Sequence, residues 1–122
     1  MGKVIRIGQL GCGIVGSATL RMLHANQEDI EQRIGASIEP AAIAVRTLGK
    51  ERDIPEQAHK LLTTDPYEVV RHPDVDIVVE VMGGIEPARA LILEALERGK
   101  PVVTANKELL ASLGKDLFDA AD

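Results

Sequence analysis

The chain has 122 residues, 45% hydrophobic and 27% charged, a balance that suits one soluble globular domain and is small for a complete two-domain enzyme. Its net charge of −5 argues against a nucleic-acid platform or an anionic membrane surface as partner, and no apolar run approaches the length of a membrane span. A single cysteine excludes an internal disulfide framework, and with no signal peptide ahead of the first strand the expected location is the cytoplasm.

Tyr67 and Phe118 are the only aromatic residues, so the core must be built from Val, Ile, Leu and Ala, which suits a buried parallel sheet. Val4, Ile5, Ile7 and Leu10 form a β-branched-rich run that stops at Gly11-Cys12-Gly13-Ile14-Val15-Gly16, after which the pattern turns helical. Gly-x-Gly-x-x-Gly binds a dinucleotide where a strand feeds a helix through a turn too tight for side chains. Gly11 would allow the turn, Gly13 would admit the pyrophosphate, Gly16 would let helix and strand pack closely, and the helix N-terminus would face the phosphates. The competing reading is a glycine turn used only for packing. Cys12 is a small apolar filler inside it, with no base at a readable spacing to make it a nucleophile.

Residues 17–34 read as one helix closed by Gly35. Glu39-Pro40 opens a second strand at residues 41–46, followed by a polar stretch over residues 47–55; Leu61-Leu62-Thr63 is at most a short third strand. Asp65-Pro66 reads as a helix cap with proline in the first turn, giving a brief helix over residues 67–71. Residues 77–82 are the strongest strand signal, ended by Gly83-Gly84. A helix starts at Glu86-Pro87 and stops at Gly99, a strand follows at residues 101–104, Asn106 caps a helix over residues 107–112, and residues 115–121 form a last short helix.

Strands alternating with helices imply an α/β fold, a doubly wound parallel sheet of Rossmann type that ends after about five strands. Ligands of such folds lie at the carboxyl ends of the strands, where this chain carries Gly11 to Gly16, Arg46, Gly83 and Gly84, and Thr104 to Lys107. An NAD-preferring site would place an acid after the second strand to read the ribose 2′-hydroxyl; this chain has Val45-Arg46-Thr47. Arg46, with Lys50 and Arg52 nearby, suits a 2′-phosphate, the alternative being a solvated basic run. His24, His59, His72 and Cys12 show no metal-ligand spacing, so no metal site is expected.

The glycine motif, the stretch Val78-Val79-Glu80-Val81-Met82-Gly83-Gly84 and the stretch Val102-Val103-Thr104-Ala105-Asn106-Lys107-Glu108-Leu109-Leu110-Ala111 together resemble the nucleotide-binding half of the homoserine dehydrogenase family, in its order and at about its spacing. The resemblance implies hydride transfer between homoserine and aspartate 4-semialdehyde with NADP or NAD, in threonine and methionine biosynthesis. It also implies that residues 1–122 are the NAD(P)-binding domain alone, the substrate domain being a later one, and that the whole protein is a homo-oligomer. Where the family often has Arg-Asp, this chain has Arg46-Thr47, which removes a negative charge and favours NADP.

By the same resemblance Lys107 is the candidate catalytic residue and a cofactor contact, beside the nicotinamide and the reacting hydroxyl. Its other reading is a solvated lysine in a helix's first turn, where a cation slightly opposes the dipole. Thr104 and Asn106 are candidate cofactor contacts that serve equally well as helix caps. Gly83 and Gly84 would permit close approach of the cofactor or merely end the strand, and Glu80 reads as buried rather than catalytic. Two other classes remain open: a dinucleotide-sensing regulatory module without catalysis, and a related amino-acid or semialdehyde dehydrogenase.

Overall fold

The computed structural model describes residues 3–84 and 86–104. The first strand, β1 (Lys3–Leu10), is exposed or half-buried at its start and wholly buried over its last four residues. Burial on both faces means a central strand covered by helices on both sides, and the sheet order is β3 (Leu62–Thr63), β2 (Ala36–Ala44), β1, β4 (Ile77–Glu80) and β5 (Val102–Thr104), every pair parallel. That is the doubly wound order expected from the sequence, with the chain reversing direction across the sheet at β1.

The helix after β1 starts inside the glycine motif. It runs as α1 (Ile14–Ala25) and α2 (Gln27–Ile34), not as one helix over residues 17–34. Gly13 takes the N-cap position, which puts Ile14 to Gly16 in the first turn. The break falls at Asn26, whose side-chain Nδ2 and backbone N–H both donate to the carbonyl of Met22, so a local side-chain bond competes with helix continuation. Gly35 then closes α2 in the left-handed conformation, φ 70°.

The second strand, β2 (Ala36–Ala44), begins at Ala36 rather than Ala41 and contains Pro40 within it. A bulge opposite Ile7 and Gly8 absorbs the residue that cannot donate to the ladder: Ile7 pairs with Pro40 and Gly8 with Ala42, leaving Ala41 extra. A 3₁₀ turn at Glu56–Leu61, absent from the sequence reading, leads into β3 (Leu62–Thr63). Helix α3 (Pro66–Arg71) starts as expected, with Asp65 accepting from the N–H of Tyr67 at 3.0 Å and Pro66 in the first turn.

Strand β4 (Ile77–Glu80) ends two residues before the expected Met82. Val81 N–H still reaches the carbonyl of Leu10, but the Glu80 carboxylate then takes the N–H groups of Met82 and Gly83 and turns the chain out of the ladder. Helix α4 (Ala88–Glu97) and strand β5 (Val102–Thr104) complete the described residues. The helices expected at residues 107–112 and 115–121 lie outside them.

Side-chain alternation sorts the core into two layers. Leu10, Ala42, Ala44 and Val78 pack with Val69 and Val70 of α3 and Leu91 and Ala95 of α4, while Ile43, one residue out of phase on β2, packs on the other face with Leu20 of α1 and Ala58 of the 3₁₀ turn. No helix among the described residues is long and apolar enough to cross a membrane.

Candidate functional site

The turn between β1 and α1 is built so that its carbonyls point inward. Gly11 has φ 104°, and a Cβ there would stand 3.0 Å from the carbonyl oxygen of Val81, so both conformation and space call for glycine. Its N–H donates to Ala44 and its carbonyl accepts from Nε2 of Gln9 at 2.9 Å. The carbonyl of Cys12 accepts from the Ser17 hydroxyl, and that of Gly13 accepts from the Ser17 N–H at 2.9 Å, the first bond of the helix. The N–H groups of the first turn of α1 have no intrahelical acceptor and carry the positive end of the dipole. That turn holds no acidic side chain to compete for them.

Gly16 sits beneath this surface. A Cβ on it would come within 2.7 Å of the Gly11 carbonyl, so its role in the fold is close packing of α1 on the turn. Gly13 is the opposite case: a Cβ there would meet no atom within 4 Å, and what it would fill is the open space over the helix terminus. An anion approaching the first-turn N–H groups needs that space. Ile14 and Val15, 91% and 57% exposed, flank it on the same turn.

A cleft of about 540 Å³ extends from this turn across the carboxyl ends of β2, β1 and β4. Gly11, Cys12 and Gly13 form its floor, Val81, Met82 and Pro87 one wall, and Arg46, Thr47, Lys50 and Arg52 the far end. No carboxylate lines it among the described residues. Arg52 is committed to the loop, donating to the carbonyls of Thr47 and Lys50. Arg46 is exposed and held in no described bond, which leaves it available to a ligand anion.

The other expected contacts lie along the same sheet edge but outside this lining. Gly83 and Gly84 both have positive φ, 80° and 76°, in the turn after β4. Thr104 ends β5, where its hydroxyl donates to Oε1 of Glu80 at 2.6 Å. Glu80 is fully buried, as read, and its Oε2 accepts from Met82 N–H at 2.7 Å and from Gly83 N–H at 3.3 Å, so one carboxylate ties the ends of β4 and β5 together. Asn106 and Lys107 lie outside the described residues.

Sequence reasoning passed over Gln9. It is fully buried on the α1 side of β1, and its Nε2 donates to the carbonyls of Gly11 at 2.9 Å and Gly16 at 3.1 Å. A signal existed: a polar residue in a strand buried on both faces must find partners, and the nearest unpaired backbone groups were those of the glycine turn.

A family model for the NAD binding domain of homoserine dehydrogenase matches residues 11–122. The homoserine dehydrogenase of Mycobacterium tuberculosis is 48% identical over 120 residues, which is 98% of this chain and 26% of that protein. Among solved structures, a homoserine dehydrogenase from Thiobacillus denitrificans superposes with a TM-score of 0.84 at 46% identity, covering 98% of this chain and 27% of that one. The S. aureus homoserine dehydrogenase superposes with a TM-score of 0.89 at 38% identity, covering 99% and 30%. The chain thus spans about a quarter of the length of the relatives it matches.

Proposed function

This chain belongs to the homoserine dehydrogenase NAD-binding domain family, and on that basis we propose that it holds NADP or NAD across the carboxyl edge of its sheet for the interconversion of L-homoserine and L-aspartate 4-semialdehyde. The observation that carries the reading is the turn at residues 11–16. The carbonyls of Gly11, Cys12, Gly13 and Gly16 each accept a hydrogen bond within the fold, the helix terminus is clear of acids, and Gly13 leaves open the space a pyrophosphate needs. Gly11, Cys12, Gly13, Ile14 and Val15 then contact the dinucleotide around its phosphates, while Gly16 supports the turn from below.

Oxidising homoserine requires a hydride acceptor, which the nicotinamide of a bound dinucleotide supplies. The chain's own task is to bind and orient that group. At the adenosine end Arg46 meets a 2′-phosphate, a reading supported by a cleft with no acid to repel it. At the other end Gly83, Gly84, Thr104, Asn106 and Lys107 approach the nicotinamide, and the Lys107 ammonium polarises the reacting carbonyl or shares its proton. The amino-acid substrate is held with residues of the whole protein, which acts as a homo-oligomer.

The experiment is a fluorescence titration of the purified chain with NADPH and NADH, each displaced by ADP-ribose. Saturable binding of both, tighter for NADPH, is expected. Failure of the chain to bind either one overturns the assignment.

A further inference from the structure

Gln9 is unusual among the buried residues, because its amide is only half satisfied. Both hydrogens of Nε2 are used, one on the carbonyl of Gly11 at the entry of the phosphate turn and one on the carbonyl of Gly16 in the first turn of α1. Two carbonyl acceptors leave no ambiguity about which end of the amide faces them. Its Oε1 is buried with no hydrogen-bond partner among the described residues. A side chain selected only to fill this space would be hydrocarbon, since burying an unpartnered carbonyl is unfavourable.

We infer that Gln9 is the positioning residue of the pyrophosphate cradle, clamping the carbonyls of Gly11 and Gly16 inward so that only N–H groups face the ligand. The inference rests on the dinucleotide reading of the turn. The two clamped groups are close neighbours: the Gly11 oxygen stands 2.7 Å from where a Gly16 Cβ would be, so entry and exit of the turn share one side-chain donor. Without that donor, both carbonyls lose a buried partner and gain reason to rotate toward the cleft, where they would repel phosphate oxygens. Gln9 touches no part of the ligand space itself; it acts through the two glycines.

The test uses Gln9→Met, which keeps the volume and removes both donors, with Gln9→Leu as a second variant. Affinities for NADH, ADP-ribose and adenosine are measured by calorimetry or NMR, and thermal melts are recorded for each protein. Gln9→Met is expected to weaken NADH and ADP-ribose alike by about tenfold, the size of one lost hydrogen-bonded arrangement, while adenosine changes by less than about twofold. The melting midpoint should fall modestly, because two carbonyls lose a donor while the unpartnered Oε1 goes too, and the melt should stay cooperative. A loss confined to the pyrophosphate-bearing ligands, in a variant that still melts cooperatively, is what a packing role cannot produce.

Unchanged NADH affinity in Gln9→Met would overturn the inference while leaving the dinucleotide reading intact. So would an equal loss for adenosine, or loss of the cooperative melt in both variants, which would make Gln9 a folding determinant. If the wild-type chain binds neither NADH nor ADP-ribose, the dinucleotide reading itself is lost, and the inference with it.

Discussion

Two side chains, one absent and one present, carry the sharpest tests of the cleft. At Gly13 the open space above the helix terminus is where the proposed pyrophosphate would sit, so Gly13→Val should abolish NAD(P) binding while the domain still melts cooperatively, since a Cβ there meets no protein atom within 4 Å. Binding by that variant with wild-type affinity would remove the turn from the site. Arg46 is exposed, so its contact with a 2′-phosphate is partly screened: Arg46→Ala should cost about 1.5 kcal/mol in NADPH binding, the low end for a charge-assisted bond, and leave NADH nearly unchanged. Calorimetry with both cofactors decides it, and equal losses would show that Arg46 does not read the phosphate. The roles offered for Gly11 and Gly13 were legible in the sequence because glycine spacing reports directly on backbone geometry. Gln9 was not, because its importance comes from where its amide points, which depends on how α1 packs.

Among the elements, the carboxyl ends of β4 and β5 are held by a side chain rather than by the ladder alone. Thr104→Val keeps the shape of the residue but removes the hydroxyl that donates to Glu80, leaving a fully buried carboxylate oxygen short of a partner. A stability loss of about 1–3 kcal/mol is expected in urea unfolding, and an unchanged midpoint would mean the latch is not strained by its loss. On the covering layer, Arg71 of α3 grips Glu94 of α4 with two bonds, of 2.6 and 2.9 Å. The guanidinium holds the Glu94 carboxyl below its ordinary value of 4.5. A carboxylate held low in the folded state contributes stability that is present above that ordinary value and lost as pH falls through the lowered one. The gap in stability between neutral and acidic solution should therefore narrow in Arg71→Ala, without vanishing, because Arg98 also pairs with Glu94 at 3.2 Å. Melts across the acid range measure it, and an unchanged gap would show the pair to be fully screened. The elements themselves were readable where caps and breakers mark them, as at Asp65-Pro66 and Gly35. They were misread at Asn26, Pro40 and Met82, where a local side-chain bond, a strand bulge and a buried carboxylate overrode the periodic pattern.

For the molecule as a whole, the cleft proposed for the dinucleotide has no carboxylate among its described lining residues to hold the ammonium of an amino acid. Hydride transfer depends on holding the alcohol carbon against the nicotinamide, and such positioning supplies on the order of 7–11 kcal/mol in favourable cases. The 122-residue chain, assayed as such, is therefore expected to bind NAD(P)H yet not to consume it with aspartate semialdehyde. Turnover near the rate of a whole homoserine dehydrogenase would overturn that division of labour.

Sequence alone determined the class of fold and the sheet edge at which a candidate site is expected. Alternation of apolar strands with helices leaves few topologies once crossovers must be right-handed, and ligands of such sheets gather at the strand ends where the glycines and Arg46 fall. Tertiary structure decided which of those groups line the cleft and which are engaged elsewhere. The Gly11 carbonyl points inward only because Gln9 and Gly16 meet it there, Arg52 is spent on its own loop while Arg46 is not, and Glu80 joins two strands twenty-four residues apart in its bond to Thr104. Each depends on the direction of a side chain across a packed layer, and direction across a layer is set by neighbours distant in the chain.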